Sequence, residues 1–378
     1  MNSYNVTISV WNDFWAPEVC SGLYRAGFSV LALRSEWKSL AGVTTECSYA
    51  SGLLTRMFQR TQHPQLLEAA ESRFEAFACR RTGRSPVFWG WSDHNLTAFQ
   101  SALRKGQRVI CERGSTHGIW AAERLDKVHR DLGWGPTNLQ TSPRIVRANQ
   151  EYHLAEKIVV PSAFVKKTFL EQGFPESKLH INPYGVDRAR WGSVAGSERN
   201  KGPLVFVFAA SIGPRKGVHV LLRAWEKANL PDCELWLCGG LHMPLEQLQL
   251  PLGKSVKILG RQTHDSLAAI YNKASVYVLP SFEEGMARSG IEALAAGLPV
   301  IVTEETGLTD LMTTGKEGWV VESGNVEHLA ETLREVSRAR HALPSHSAAA
   351  RACTTTSDKT DYGDRAAEFL RAFLAQVR

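Results

Sequence analysis

Apolar residues along this chain fall into two rhythms. Short runs closed by Gly, Pro or a polar cluster predict buried strands, and stretches with an apolar residue every three or four positions predict helices. Residues 5–11 alternate as a strand does. A helix over about 18–26 ends at Gly27, and 28–33 reads as the next strand. That is the βαβ opening of a doubly wound parallel sheet. The same alternation continues with a helix over 66–81, a strand over 86–90 and a helix over 96–105 that Asp93 or Asn95 could cap. It then gives a strand over 107–111, helices over 119–132 and 143–155, and a strand over 157–160. A helix over 163–172 follows, capped by Ser162, and then a strand over 178–182. Residues 34–65 give no assignment. The stretch 191–203 is rich in Gly and Ser and reads as a linker.

A second unit of the same kind starts at 204–210, with a helix over 218–227 and strands over 233–238, 256–259, 276–279 and 299–302. A helix beginning near Met286 joins the last two. A helix over 327–336 comes next. Residues 341–359 turn rich in Ala, Ser and Thr and read as loop or irregular helix. An amphipathic helix over 362–376 ends the chain. The expected organisation is an N-terminal domain over 1–187, a linker over 188–203, a second domain over 204–345 and a C-terminal segment over 346–378.

The candidate chemistry gathers around the strand–loop–helix–strand of residues 276–303. Glu284 stands on the loop and Glu292 about two turns into the helix. A carboxylate only accepts hydrogen bonds, and its two oxygens can take both hydroxyls of a vicinal diol, as sugars and riboses present. Gly285, Met286, Ala287 and Arg288 bring backbone N–H groups at a helix N-terminus, which favours an anion such as a diphosphate. Two acids at this spacing alone most often mark a solvated helix face. Arg215 and Lys216 stand at another strand-to-helix turn, where adjacent cations suit phosphate. Gly239 and Arg261 follow two further strands of that unit, within reach of a nucleotide crevice. Backbone N–H groups of Thr306 and Gly307 are weaker candidates for phosphate or sugar. In the first half, Glu112-Arg113-Gly114-Ser115-Thr116-His117-Gly118 follows a strand, so His117 is expected at the crevice.

The segment SFEEGMARSGIEALAAGLPVI resembles the Glu-x7-Glu segment of retaining GT-B glycosyltransferases of the family 4 type (glycosyl transferases group 1). GPRKG resembles the diphosphate grip of that family. ERGSTHG resembles its histidine segment, and VVPSAFVKKTFLEQGFPESKLHINPYGVD the close of its first domain. The resemblance is firm over about 107–335. It implies two Rossmann-like domains facing a central cleft, and transfer of a hexosyl or related sugar from a nucleoside-diphosphate sugar to a glycan or glycolipid acceptor. Retention, no bound metal and no further cofactor are part of the same implication. By that likeness Arg215 and Lys216 hold the diphosphate, Glu292 the ribose and Glu284 the sugar hydroxyls. His117 faces the donor sugar from the first domain, and the last helix returns to that domain. A GT-B epimerase or phosphorylase and a non-catalytic scaffold are the alternatives. The loop Asn12-Asp13-Phe14-Trp15-Ala16-Pro17 departs from the family's glycine-rich loop and leaves the acceptor pocket unread.

Composition narrows this little. The 43% hydrophobic and 22% charged fractions are those of an ordinary globular protein. No apolar run approaches a membrane span. The opening MNSYNVTISV lacks the regions of a signal peptide, so a cytoplasmic protein is expected. The seven cysteines are scattered and suggest buried thiols. Residues 1–185 hold 22 Lys and Arg against 16 Asp and Glu, while the remainder balances at 22 each. That excess suits an acidic acceptor or an anionic membrane surface, and equally a solvated face. A dehydrogenase is excluded by the missing G-x-G-x-x-G turn. Nucleic acid is excluded by the lack of a basic stripe with interleaved aromatics. Trp11, Trp15 and Trp91 could stack on an acceptor sugar, although core packing accounts for each.

Overall fold

The computed structural model describes residues 4–11, 15–35, 40–194, 199, 202–241, 253–355 and 357–376. The loop residues 12–14, the stretch 36–39 and linker residues 195–198, 200 and 201 lie outside that set.

Two parallel sheets, each wound with helices, make two α/β domains. The first contains β1 (Val6–Val10), β2 (Val30–Arg34), β3 (Thr44–Cys47), β4 (Val87–Trp91), β5 (Arg108–Glu112), β6 (Lys157–Val160) and β7 (Leu179–Ile181). Their order is β3-β2-β1-β4-β5-β6-β7. Its helices are α1 (Ala16–Arg25), α2 (Tyr49–Thr61), α3 (Pro64–Cys79), α4 (Leu96–Arg104), α5 (Gly118–Asp131), α6 (Pro143–Leu154) and α7 (Ala163–Glu171). The central strands β1, β2 and β4 are buried along their whole length. Helices on both faces therefore account for their continuous apolar runs.

A short helix α8 (Arg188–Trp191) opens the crossing to the second sheet. Its Trp191 is buried against Tyr271, with ring centroids 5.5 Å apart, so this part of the presumed linker is packed. The second domain holds β8 (Leu204–Ala209), α9 (Val218–Ala228), β9 (Cys233–Cys238), β10 (Val256–Gly260), α10 (His264–Lys273), β11 (Val276–Leu279), α11 (Arg288–Ala295), β12 (Val300–Val302), β13 (Gly318–Val320) and α12 (Val326–Arg338). Its strand order is β10-β9-β8-β11-β12-β13. The chain ends in α13 (Leu343–Cys353) and α14 (Lys359–Ala375). Among the described residues, no helix is long and apolar enough to cross a membrane.

Helix α14 does not stay with the second sheet. It packs on α1 of the first domain, where Gly22 and Gly363 bring the two backbones together. The Tyr362 hydroxyl donates to Glu112 at the end of β5, and Arg108 Nη1 donates to the Phe373 carbonyl at 2.6 Å.

Two local expectations are overturned. Helix α4 is capped by neither Asp93 nor Asn95. Asn95 accepts from Ser9 Oγ at 2.6 Å and donates to the Trp91 carbonyl at 2.7 Å, while Glu75 of α3 takes the Thr97 N–H at 2.8 Å. A carboxylate from another helix thus satisfies the end that a local side chain was expected to satisfy. The Ala-rich stretch after residue 341 is largely the regular helix α13. Alanine is the best helix former, and the Arg351 guanidinium ties α13 to the Gly192, Val194 and Ala296 carbonyls.

Each sheet reverses its winding once, between β1 and β4 in the first and between β8 and β11 in the second. In such sheets ligands bind beyond the carboxyl ends of the strands at that point.

Candidate active site at the second switch point

The loops leaving β8 and β11 build the site. Gly217, with φ +70°, ends the tight turn that carries Arg215 and Lys216. A Cβ there would stand 1.9 Å from the Pro280 carbonyl oxygen, so only glycine allows the β8 and β11 loops to lie this close. Both loops, with Gly114, Ser115 and Tyr184 from the first domain, line a cavity of about 560 Å³. Arg215, Lys216, Glu284, Gly285, Met286, Ala287, Arg288 and Glu292 all face it.

Three of its charges, Arg215, Lys216 and Glu284, are paired with one another. Lys216 Nζ donates to Glu284 Oε1, which also accepts from Ser281 Oγ at 3.0 Å. Arg215 Nη1 lies 3.7 Å from the other oxygen of Glu284. Burial lowers the Lys216 ammonium from its ordinary value, against the attraction of Glu284. Burial raises the Glu292 carboxyl to about 7, with Arg288 and Arg190 opposing it. Lys216 can thus exchange its carboxylate partner for an anionic ligand, and Glu292 is a carboxylate poised to accept hydroxyls. Of the backbone donors on the loop, Ala287 N–H is spent on the Thr306 carbonyl at 2.9 Å. Those of Gly285 and Met286 take no protein acceptor among the described residues.

Several expected residues lie elsewhere. His117 does not line the cavity. The residue is 1% exposed, and its ring packs among Tyr152, Phe169 and Phe174, with Nε2 3.2 Å from Asn149 Oδ1. Burial lowers its imidazole to about 4, so it is neutral at physiological pH. A strand-end position predicts a crevice-facing side chain, but the hydrophobic wedge between α6 and α7 captures this ring instead. Thr306 and Gly307 spend their N–H groups on the Thr303 and Glu304 carbonyls, closing a turn, and have none free for phosphate. Gly239 and Arg261 stand beyond the lining. The Gly239 N–H bonds the Gly260 carbonyl at 2.8 Å, and Arg261 packs against Gly240.

Sequence reasoning missed Glu283. It is 3% exposed and joins the two domains. Arg215 Nη1 donates to it at 3.0 Å, Ser115 Oγ at 2.5 Å and Thr116 Oγ1 at 2.7 Å. Burial alone would raise its carboxyl, yet Arg215, the two hydroxyls and Arg113 hold it down at about 2. The adjacent acid was in plain view, but the seven-residue spacing selects Glu284. Ser211 and Tyr184 are further lining residues that were not singled out from the sequence. Among the described residues no group of three or more His, Cys, Asp and Glu side chains is placed to hold a metal ion.

A second cavity, of about 240 Å³, lies at the switch point of the first sheet. Trp11, Trp91, Asp93, His94, Arg113 and Arg144 line it, and it shares Gly114 and Ser115 with the first. Asp93, held at φ 81°, accepts from Arg113 Nη1 at 3.1 Å and from Arg144 Nε at 3.2 Å. Trp15 instead packs on Tyr184 and Tyr362.

Residues 190–352, which hold all the cations and carboxylates of the first cavity, match glycosyl transferases group 1. The likeness covers the second domain and the crossing into it, rather less than half of the chain. The chain is 30% identical over 184 residues to a putative colanic acid biosynthesis glycosyltransferase, WcaL, of Salmonella typhimurium, a match spanning 45% of this chain and 44% of the relative. It is 28% identical over 186 residues to the MMP alpha-(1->4)-mannosyltransferase of Mycolicibacterium hassiacum, spanning 48% of this chain and 44% of that one. The chain thus spans less than half the length of these curated relatives. The whole chain has the GT-B fold. Sucrose-phosphate synthase of Thermosynechococcus elongatus superposes with TM-score 0.72 over 98% of this chain and 99% of its own, at 15% identity. HepE of Anabaena, solved with UDP-glucose, superposes with TM-score 0.66 over 98% and 100%, also at 15% identity.

Proposed function

We propose that this protein moves a hexosyl or related sugar from a nucleoside-diphosphate sugar to a glycan or glycolipid acceptor, with retention of configuration and without a metal. The observation that carries this is the convergence of Arg215, Lys216, Glu284 and Glu292 on one cavity at the switch point of the second sheet. A diphosphate entering there displaces Glu284 from Lys216 and takes that ammonium together with the free N–H groups of Gly285 and Met286. Released, Glu284 accepts sugar hydroxyls, and Glu292 accepts the ribose diol. The nucleoside extends past Ala210 toward Gly239 and Arg261. As the bond to the anomeric carbon breaks, charge grows on the departing phosphate oxygen. Fixed cations in a buried cavity act most strongly on charge that develops there. The acceptor stands in the adjoining cavity of Trp11 and Trp91, and its hydroxyl proton passes to the leaving phosphate oxygen. His117, neutral and enclosed, takes no part in proton transfer.

The test begins with a thermal-shift screen over nucleoside diphosphates and their sugars, because a ligand of the native state raises the melting point. Transfer with the donor so found should fall by about 10²-fold or more in each of Lys216→Ala, Glu284→Ala and Glu292→Gln, with folding intact. Near-normal turnover in any two of the three ends this assignment. The anomeric signals of the product in proton NMR decide retention.

A further inference from the structure

Glu283 belongs to the second domain, yet its donors come from both. Arg215 of the β8 loop holds one oxygen, Oε2, at 3.0 Å and donates also to the Glu283 carbonyl at 2.9 Å. The other oxygen, Oε1, takes Ser115 Oγ, Thr116 Oγ1 and the Thr116 N–H at 3.3 Å, all from the first domain. The carboxylate is thus divided, one oxygen for each side of the cleft. If the domains part, Oε1 loses every donor, and a buried anion is left with Arg215 alone. A carboxylate so stripped either draws further donors of the guanidinium onto itself or opens to water. Either way the side-chain half of the hold on Arg215 changes, and only its bond to the Glu283 carbonyl is independent of closure.

We infer that Glu283 is a positioning residue that makes the diphosphate-facing pose of Arg215 conditional on closure of the cleft. Ser115 and Thr116 are its first-domain half. This rests on the reading of the cavity as a diphosphate site. Thr116 is the informative partner because it is fully buried, does not line the cavity and bonds Glu283 rather than Arg215. A hydroxyl in one domain then controls an anion grip in the other through a single intervening carboxylate. The arrangement also gives donor binding a reciprocal effect. A ligand that prefers the closed pose of Arg215 draws the Ser115–Thr116 loop down by the same free energy.

Thr116→Val keeps the shape of the side chain and removes one donor. Small-angle scattering of the ligand-free variant should show a larger radius of gyration than wild type, as should Glu283→Gln. Binding of UDP, GDP and ADP is then titrated in wild type, Thr116→Val, Arg215→Ala and the double variant. Thr116→Val should weaken the nucleotide that binds by about five- to tenfold in the Arg215 background, and by less than twofold once Arg215 is gone, because contacting partners couple. Equal losses in both backgrounds overturn the positioning role, and an unchanged radius in both Thr116→Val and Glu283→Gln overturns the dependence on closure. If wild type binds none of the three nucleotides, the diphosphate reading falls. The positioning of Arg215 for diphosphate falls with it, and the scattering result alone then decides the latch.

Discussion

Burial raises the Glu292 carboxyl to about 7, against an ordinary value of 4.5. The folded protein therefore disfavours the ionised form that the unfolded chain tolerates. Below about pH 4.5 the group is protonated in both states and makes no difference. Between about pH 4.5 and 7 the unfolded chain releases this proton while the folded protein still holds it, so stability falls across that window and levels off above 7, by an amount on the order of 1–3 kcal/mol after allowance for partial exposure. Glu292→Gln removes that cost. Its melting temperature should match that of wild type most closely at about pH 4 and exceed it at about pH 8. The same substitution should weaken nucleoside-diphosphate binding at pH 8, because an amide oxygen accepts but the amide nitrogen cannot. Parallel melting temperatures at the two pH values would show that Glu292 titrates as an ordinary surface acid. A carboxyl buried at the expense of the fold is how perturbed groups mark candidate sites.

At the scale of elements, the crossing of α1 and α14 decides whether the second domain is strapped to the first. A Cβ on Gly363 would stand 2.1 Å from the Glu18 carbonyl oxygen, and one on Gly22 2.1 Å from the Gly363 carbonyl carbon. Both contacts are with backbone and cannot yield by rotation of a side chain. Gly363→Ala should cost about 1–3 kcal/mol in a denaturant melt, as overpacking does. It should also release the Tyr362 hydroxyl from Glu112. A melt superimposable on wild type would mean that α14 docks elsewhere in solution. The return of this helix was expected by likeness alone, since nothing in residues 359–375 names its partner. What could be read locally was read well. Strands β6 and β11 are short, mainly apolar runs closed by Pro-Ser, and Ser162 does cap α7 through the Val165 N–H. The edge strand β3 has no apolar run to announce it, being Thr-Thr-Glu-Cys and at least partly exposed throughout. The site divides in the same way. The loops carrying Arg215, Lys216 and Glu284 sit beside their own helix starts, so their chemistry is legible in a dozen residues. The capture of His117 by α6 and α7, and the reach of Glu283 to Ser115, are contacts made only by the folded chain.

For the whole molecule, the two domains meet backbone to backbone at Gly285. A Cβ there would lie 2.0 Å from the Gly114 carbonyl oxygen of the opposite domain. Its own carbonyl accepts from Ser162 Oγ at 2.7 Å, so the first domain holds this peptide from two directions. Gly285 is not in the left-handed region, so the second domain by itself tolerates alanine at this position. The collision arises only when the cleft shuts. Gly285→Ala is therefore a wedge. Its chemical denaturation should stay within about 1 kcal/mol of wild type, since the substitution strains neither domain core. Its radius of gyration should rise, because Gly114 and Gly285 can no longer touch. Transfer should fall by about 10²-fold, since a displacement of an ångström between a reacting pair costs that much. Nucleotide affinity should fall less, because Lys216, Glu284 and Glu292 all lie on one side of the gap and remain assembled. A variant that melts normally, scatters as an opened particle and still binds nucleotide without transferring sugar would separate closure from donor recognition. Normal turnover in Gly285→Ala would mean instead that the reaction proceeds in a more open arrangement, with Glu283 and Ser115 apart.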